Sequence, residues 1–290
     1  LFGTSRVWFG AILTAFTIFV IFGGIHRIAV ISGILVPLMA IAYILLAVYI
    51  LGTRAGMLPG VMGSIFSNAL GFEQFAGGGL GVIVMQGIRR GLFSNEAGMG
   101  SAPNAAATAD VSHPAKQGLI QALSVFTDTL IICSCTAFII LLSGVPLDGS
   151  VKGIQLTQMA LTREIGSTGG QFIAVAILLF AFSSIVGNYS YCETNLLFIS
   201  KNKPYLQVYR VAVGAMVMFG SVAALDLVWN LADLAMAVMT VINLVAIVLL
   251  GKIALKVLQD YQRQRRTSKK NIIFKASSIP ELKDSTSEWE

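Results

Sequence analysis

Between Ile65 and Ile88 the chain reads IFSNALGFEQFAGGGLGVIVMQGI, an apolar stretch with four glycines between Gly77 and Gly81. A membrane-crossing helix needs about 20 mostly apolar residues, and each interior Gly costs about 1 kcal/mol relative to Ala. The run Phe75-Ala76-Gly77-Gly78-Gly79-Leu80-Gly81 is therefore expected to unwind at membrane depth. Backbone N–H and C=O groups freed there must face protein or a water-filled cavity, because hydrocarbon offers them no partner. Discontinuous membrane helices hold ligands this way, with half-helix amino termini facing an anionic group and freed carbonyls facing an ammonium or a cation. Close packing of helices through small residues is the other use of such a run.

The surrounding composition makes a membrane the setting. Of the 290 residues 56% are apolar and 12% charged, against about 25% charged in soluble domains, and the mean hydropathy is +0.79. A water-soluble globule is excluded. From Lys252 to the end lie 14 of the chain's 34 charged residues, the profile of a polytopic membrane protein with a hydrophilic tail. The net charge of +6 follows from basic residues beside the membrane, not from a nucleic-acid surface. Cys133, Cys135 and Cys192 fall in apolar stretches without metal spacing and read as buried thiols.

About seven spans follow: A, Val7 to Ile25; B, Ile28 to Leu51; C, Ile65 to Ile88; D, Leu119 to Leu142; E, Phe172 to Ile199; F, Val208 to Leu225; and G, Leu227 to Ala254. With the tail inside, alternation of these spans puts 16 Lys and Arg on the inner side and four, Arg6, Arg54, Lys152 and Arg163, outside, as the positive-inside rule requires. The carboxyl terminus is thus expected in the cytoplasm. Two long connections, Gly91 to Gly118 inside and Ser143 to Gln171 outside, are candidates for function. From Tyr261 the tail reads as a basic anchor on anionic lipid followed by a disordered end.

Three other spans carry polar residues at helical spacing. In E, Ser184, Gly187, Asn188, Tyr191 and Asn195 share one face, and adjacent Ser183 and Ser184 offer two hydroxyl oxygens suited to a hard monovalent cation. Hydroxyls bonded back to their own helix are the alternative. In D, Asp128 lies about halfway along the span. A carboxylate there costs of order 2.5–3.5 kcal/mol on insertion scales and should face the bundle interior. In G, Trp229 and Asp233 lie near the outer surface, Trp229 as an interface anchor or an outer gate. His26 and His113 lie in separate loops, and no nucleophile, base and orienter set is visible, so enzymatic chemistry has no support.

The loop after C reads Arg90-Gly91-Leu92-Phe93-Ser94-Asn95-Glu96-Ala97-Gly98-Met99-Gly100-Ser101-Ala102-Pro103. With His113-Pro114 and Gln117-Gly118 downstream, it closely resembles the signature of the bacterial alanine/glycine:cation symporter family. Phe22-Gly23-Gly24-Ile25 with Arg27, Val36-Pro37-Leu38-Met39-Ala40 and Thr127-Asp128-Thr129-Leu130 are similar to other parts of that family's pattern, and the likeness extends to about Lys256. Asn104-Ala105-Ala106 departs from it, the family commonly having His in that Ala-rich run.

The resemblance implies a leucine-transporter-like fold of two inverted five-helix repeats, with A and B the last two helices of the first repeat and C to G the second. On that pattern the chain is a carboxyl-terminal piece, with a transmembrane domain over residues 1–256 and a cytoplasmic tail over 257–290. The implied function is sodium-coupled symport of alanine or glycine across the bacterial inner membrane, with no other cofactor. Phe75, Ala76, Gly77, Gly78 and Gly79 would touch the amino acid, and Ser183 and Ser184 would bind sodium. Ser94, Asn95 and Glu96 are placed in the inner loop as an inner gate or its hinge, a direct substrate role staying open. Asp128, Asn188, Trp229 and Asp233 are further gate or coupling candidates. A heptahelical receptor, a passive channel and a proton-coupled carrier are the competing readings.

Overall fold

The computed structural model describes residues 5–70, 79–147, 151, 153–267, 272–282 and 289, and all regular structure among them is helical. In chain order the helices are α1 (Arg6–Ile21), α2 (Gly24–Thr53), α3 (Leu58–Leu70), α4 (Gly79–Asn95), α5 (Ser101–Ala107), α6 (Pro114–Phe126), α7 (Ser134–Ser143), α8 (Ile154–Ile165), α9 (Ser167–Ile199), α10 (Lys203–Val222) and α11 (Leu225–Thr267). A π-helical segment, Thr127–Cys133, joins α6 to α7 in one continuous rod. Five stretches among the described residues are long and apolar enough to cross a membrane: Gly33–Thr53, Pro114–Ser143, Ser167–Ile199, Lys203–Val222 and Leu225–Thr267.

Several span limits differ from the sequence reading. Span A ends four residues early, at Ile21, because Phe22 and Gly23 turn the chain before α2 starts at Gly24. At 16 residues α1 is about 24 Å long, short of the roughly 30 Å hydrocarbon core. The break between F and G falls at Ala223 and Ala224, not at Asp226. Asp226 instead occupies the first turn of α11, where a carboxylate interacts favourably with the helix dipole. The middle of span C, residues 71–78, lies outside the described residues. The outer connection holds a helix of its own, α8.

The chain divides into two compact units, residues 1–91 with 128–228 and residues 92–127 with 229–290. The first has two apolar cores. One joins Tyr43, Ala47 and Ile50 of α2 with Ile139 of α7, Ala160 and Leu161 of α8, and Ile173 and Ala176 of α9. The other joins Val20 and Ile21 of α1 with Phe182, Val186 and Tyr189 of α9. Glycine lets α1 and α10 meet closely, since a Cβ on Gly10 would lie 2.6 Å from Ser221 Cβ and one on Gly214 2.8 Å from Ile18 Cδ1. The Tyr43 hydroxyl and Thr136 Oγ1 hydrogen bond at 2.7 Å between α2 and α7. At one rim, Arg54 Nε donates to Glu164 Oε2 at 3.0 Å.

In the second unit His113 caps α6, its Nδ1 accepting from the Ala115 N–H at 3.1 Å, and Pro114 at the first helical position loses no hydrogen bond. The buried imidazole lies edge-on to Tyr261 and Phe274, and its Nε2 is 3.4 Å from Asp260 Oδ2. Burial pushes the His113 pKa below its ordinary value, the contact with Asp260 opposing the shift. α11 does not stop where the sequence reading begins the tail but continues to Thr267. Residues 272–282, expected to be disordered, pack against this end: the Phe274 N–H donates to Ser112 O at 2.9 Å, Ser112 Oγ donates to Ile272 O at 2.9 Å, and the Gln264 amide exchanges two bonds with the Ile273 backbone. Ile272, Phe274, Ala276 and Ile279 are buried there. Their apolar side chains account for the order, which a count of charges along the tail does not register.

Candidate functional site

The break that the described residues show lies after α4. The chain leaves the helix at Asn95, whose Oδ1 accepts from the Ala97 N–H at 3.0 Å. It then passes through left-handed backbone at Glu96 (φ 53°), Gly98 (φ 80°) and Gly100 (φ 106°) before α5 begins at Ser101. Glu96 is the one non-glycine residue with positive φ among the described residues, a conformation costing of order 1–3 kcal/mol that the surroundings must hold in place. Gly98 and Gly100 have no Cβ to resist it. Asn104 Nδ2 donates back to Gly100 O at 2.8 Å, tying the start of α5 to the break.

Contacts to α11 give the position of this segment. Asn243 Nδ2 donates to Gly98 O at 2.9 Å, and a Cβ on Gly100 would lie 3.3 Å from Asn243 Cβ and 3.5 Å from Met239 Cγ. Between Asp233 and Lys252 stretch 18 residues without a charge, about 27 Å of helix at 1.5 Å per residue. Asn243 is at their centre. Gly98 to Gly100 therefore lie beside the centre of an uncharged stretch of α11, whereas the sequence reading places this segment in an inner loop. The sequence reading ends span C at Ile88, ahead of Arg89 and Arg90, whereas the helix runs on to Asn95 and Phe93 packs its ring on Trp229 at 5.2 Å. Trp229 is thus an aromatic partner of the segment that enters the break, with Asp233 one turn further along the same helix.

Phe75, Ala76, Gly77 and Gly78 lie outside the described residues, and Gly79 is the first residue of α4. The expected unwinding there accordingly has no described counterpart. Five consecutive non-helical residues, 96–100, do stand beside the centre of the uncharged stretch of α11. The Gly98 carbonyl is taken by Asn243, that of Glu96 by the Met99 N–H and that of Gly100 by Asn104. The remaining groups, the carbonyls of Ala97 and Met99 and the N–H groups of Gly98 and Gly100, are of the kind that can face an amino acid's charged ends or a cation.

In the first unit α9 has two unlike faces. Phe182, Val186, Tyr189 and Glu193 are buried, whereas Ser184, Asn188 and Asn195 are exposed. The two sets are offset by two residues, about 200° around the helix, so the polar stripe points directly away from the packed one. Ser183 is half-buried and its Oγ donates to Phe180 O at 2.9 Å. Asn188 Nδ2 donates to Ser184 O at 2.9 Å. A hydroxyl that has given its proton to a carbonyl keeps its lone pairs, so this back-bonding leaves Ser183 able to accept a cation.

Two features escaped the sequence reading. Asp128 lies in the π-helical segment, with Cys133 Sγ 3.9 Å from its Oδ2. Such wide turns inside α-helices are frequent at functional sites, and no residue pattern announces them. The second is a buried ion pair: Arg210 Nη2 donates to Glu193 Oε1 at 3.1 Å and Arg210 Nε to the Tyr189 hydroxyl at 3.0 Å. The guanidinium lies 5.0 Å from the Phe22 ring centroid. Spacing within each helix could have placed Glu193 on the buried face, but its partner comes from α10.

Comparison with known proteins assigns the family. The sequence profile of the sodium:alanine symporter family matches residues 1–276. This chain belongs to the sodium:alanine symporter family. It is 53% identical to the amino-acid carrier protein AlsT of Bacillus subtilis over 289 residues, all of this chain and 61% of that protein. It is 51% identical to the probable sodium/glutamine symporter GlnT of the same organism, over 94% of this chain and 57% of that one. To the sodium/proton-dependent alanine carrier protein of Bacillus sp. PS3 it is 36% identical, over 92% and 64% respectively. The chain thus spans about three-fifths of the length of the curated relatives it matches. The family is one of transporters, not enzymes, which also sets aside the receptor reading, and with the five long apolar helices among the described residues it makes this a multi-pass membrane protein.

Proposed function

We propose that this protein carries a small neutral amino acid, alanine or glycine, into the cell by sodium-coupled symport with alternating access. The observation that carries the reading is the five-residue break at 96–100 beside Asn243, at the centre of the uncharged stretch of α11. Its backbone groups supply the dipoles that an amino acid's ammonium and carboxylate need, in the way discontinuous helices do. In the first unit, Ser183 and Ser184 supply oxygens for sodium. The architecture that goes with this reading is the leucine-transporter-like inverted repeat, with the carboxyl terminus cytoplasmic.

Cation binding that raises substrate affinity is matched by an equal effect of substrate on cation affinity. The membrane potential adds about 2.3 kcal/mol per charge for each 100 mV, which drives inward co-transport. The name of the PS3 relative supports a second reading of the coupling ion, a proton beside or in place of sodium. The name of GlnT supports glutamine as a rival substrate.

Uptake of labelled alanine into vesicles bearing the full-length protein tests both. It is expected to follow an imposed sodium gradient, to be competed by glycine better than by glutamine, and to lose its sodium dependence in the Ser183→Ala, Ser184→Ala double variant. Uptake that follows a pH gradient alone rejects sodium, and unchanged sodium dependence in the double variant rejects the two ligands.

A further inference from the structure

Asn243 is out of place as a lipid-facing or packing residue. Among residues 234–251 only Thr240 and Asn243 carry polar side chains. Thr240 is satisfied within its own helix, its Oγ1 donating to Met236 O at 2.7 Å. Asn243 instead reaches a segment 145 residues away in sequence, donating to Gly98 O at 2.9 Å. Its Cβ would also be the nearest atom to any side chain placed on Gly100, at 3.3 Å. An amide at mid-span is costly unless it is hydrogen bonded, and so is the carbonyl of a broken helix. Each group relieves the other.

We propose that Asn243 is a positioning residue for the substrate: it holds the Gly98 carbonyl and fixes the orientation of the remaining backbone groups of 96–100. The inference rests on the reading of that break as the amino-acid site. Gly98 and Gly100, both with positive φ, bring no side chain to lock the turn at their positions, so contacts from outside help to decide its geometry. The Asn243 amide clamps the middle of the turn and the Asn95 and Asn104 side chains clamp its flanks. Releasing the central clamp lets the backbone dipoles rotate away from the substrate while the helices stay packed. Affinity should therefore fall more than turnover.

The test compares Asn243→Ala, Asn243→Asp and Gly100→Ala in vesicles of the full-length protein, scoring KM and the maximal rate of sodium-driven alanine uptake. Loss of one hydrogen bond and the disorder it releases should raise KM about tenfold in Asn243→Ala, with a smaller change in rate. Asn243→Asp supplies the decisive arm. Ionised, it sets an acceptor against the Gly98 carbonyl; protonated, it donates an O–H to it. Its KM, normalised to the wild type at each pH, should fall toward the wild-type value on acidification, while that of Asn243→Ala should not. Gly100→Ala pushes on Asn243 at a φ that L residues rarely adopt and should raise KM as well. Should Asn243→Ala fail to fold, the acid recovery of Asn243→Asp decides alone. A wild-type KM in Asn243→Ala, or no acid recovery in Asn243→Asp, overturns the proposal. Absence of sodium-driven alanine uptake in the wild type overturns the transport reading beneath it, an outcome separate from either.

Discussion

The two faces of α9 were built from the same kind of sequence and meet opposite fates. One face, Phe182, Val186, Tyr189 and Glu193, is closed off by α1 and α10, and even its charge is matched by Arg210. The other, Ser184, Asn188 and Asn195, is left open. Polar residues on a membrane helix therefore have two distinct uses here. Glu193 holds two helices together, while the open stripe packs into neither described core, and the proposed function assigns its Ser184 to the cation. Substitutions on the two faces should separate folding from transport.

The largest effect is expected on the closed face. Glu193→Ala leaves the Arg210 guanidinium buried without its carboxylate, and breaking a buried pair by removing one member costs about 3–5 kcal/mol. Thermal unfolding in detergent should show a much lower midpoint and poor recovery of folded protein. An unchanged midpoint would mean that the pair is dispensable and that the contrast between the faces is false. On the open face Asn188→Leu should do the reverse. Surface changes of this kind usually alter stability by within about 0.5 kcal/mol, so the midpoint should hold while sodium-driven uptake falls. A fall in both would show that this face, too, is structural.

The smallest expected effect lies in the second unit and concerns pH. Burial lowers the His113 pKa in the folded state, so the fold favours the neutral ring and the unfolded chain takes up the proton more readily. The stability from the His113 cap is present in full above the ordinary histidine value of about 6.5 and is lost as pH falls from there toward the lowered folded value. Protonating Nδ1 also removes the acceptor for the Ala115 N–H. Hydrogen-exchange protection at 113–116 and 272–276, normalised to the intrinsic rate at each pH, should fall between pH 7 and acid in the wild type. In His113→Ala, where a lost cap costs about 1 kcal/mol, protection should be low throughout. Equal acid sensitivity in that variant would place the trigger elsewhere.

Hydropathy alone located the long apolar helices, and spacing alone recognised the polar stripe of α9 and the position of Asp128. Local chemistry explains these successes: a span is a run of neighbours, and a helical stripe repeats every three or four residues. The same reasoning misjudged Asn95 to Gly100, because Arg89 and Arg90 look like the end of a span and nothing within the loop reports Asn243. It expected disorder in 272–282, because the tail is rich in charged, Ser and Thr residues and the few apolar ones, Ile272, Phe274 and Ile279, find their partners only in space. It also gave no hint of the π-helical turn at Asp128.

What the amino-acid order settled unaided was the membrane setting, the helical class and the family, since each rests on composition or on contiguous motifs. Tertiary structure alone decided the place of the break beside α11, the partner of Glu193 and the docking of the tail. Each depends on a pairing between residues distant in sequence, and hydrogen bonds and buried charges are satisfied in space, not along the chain.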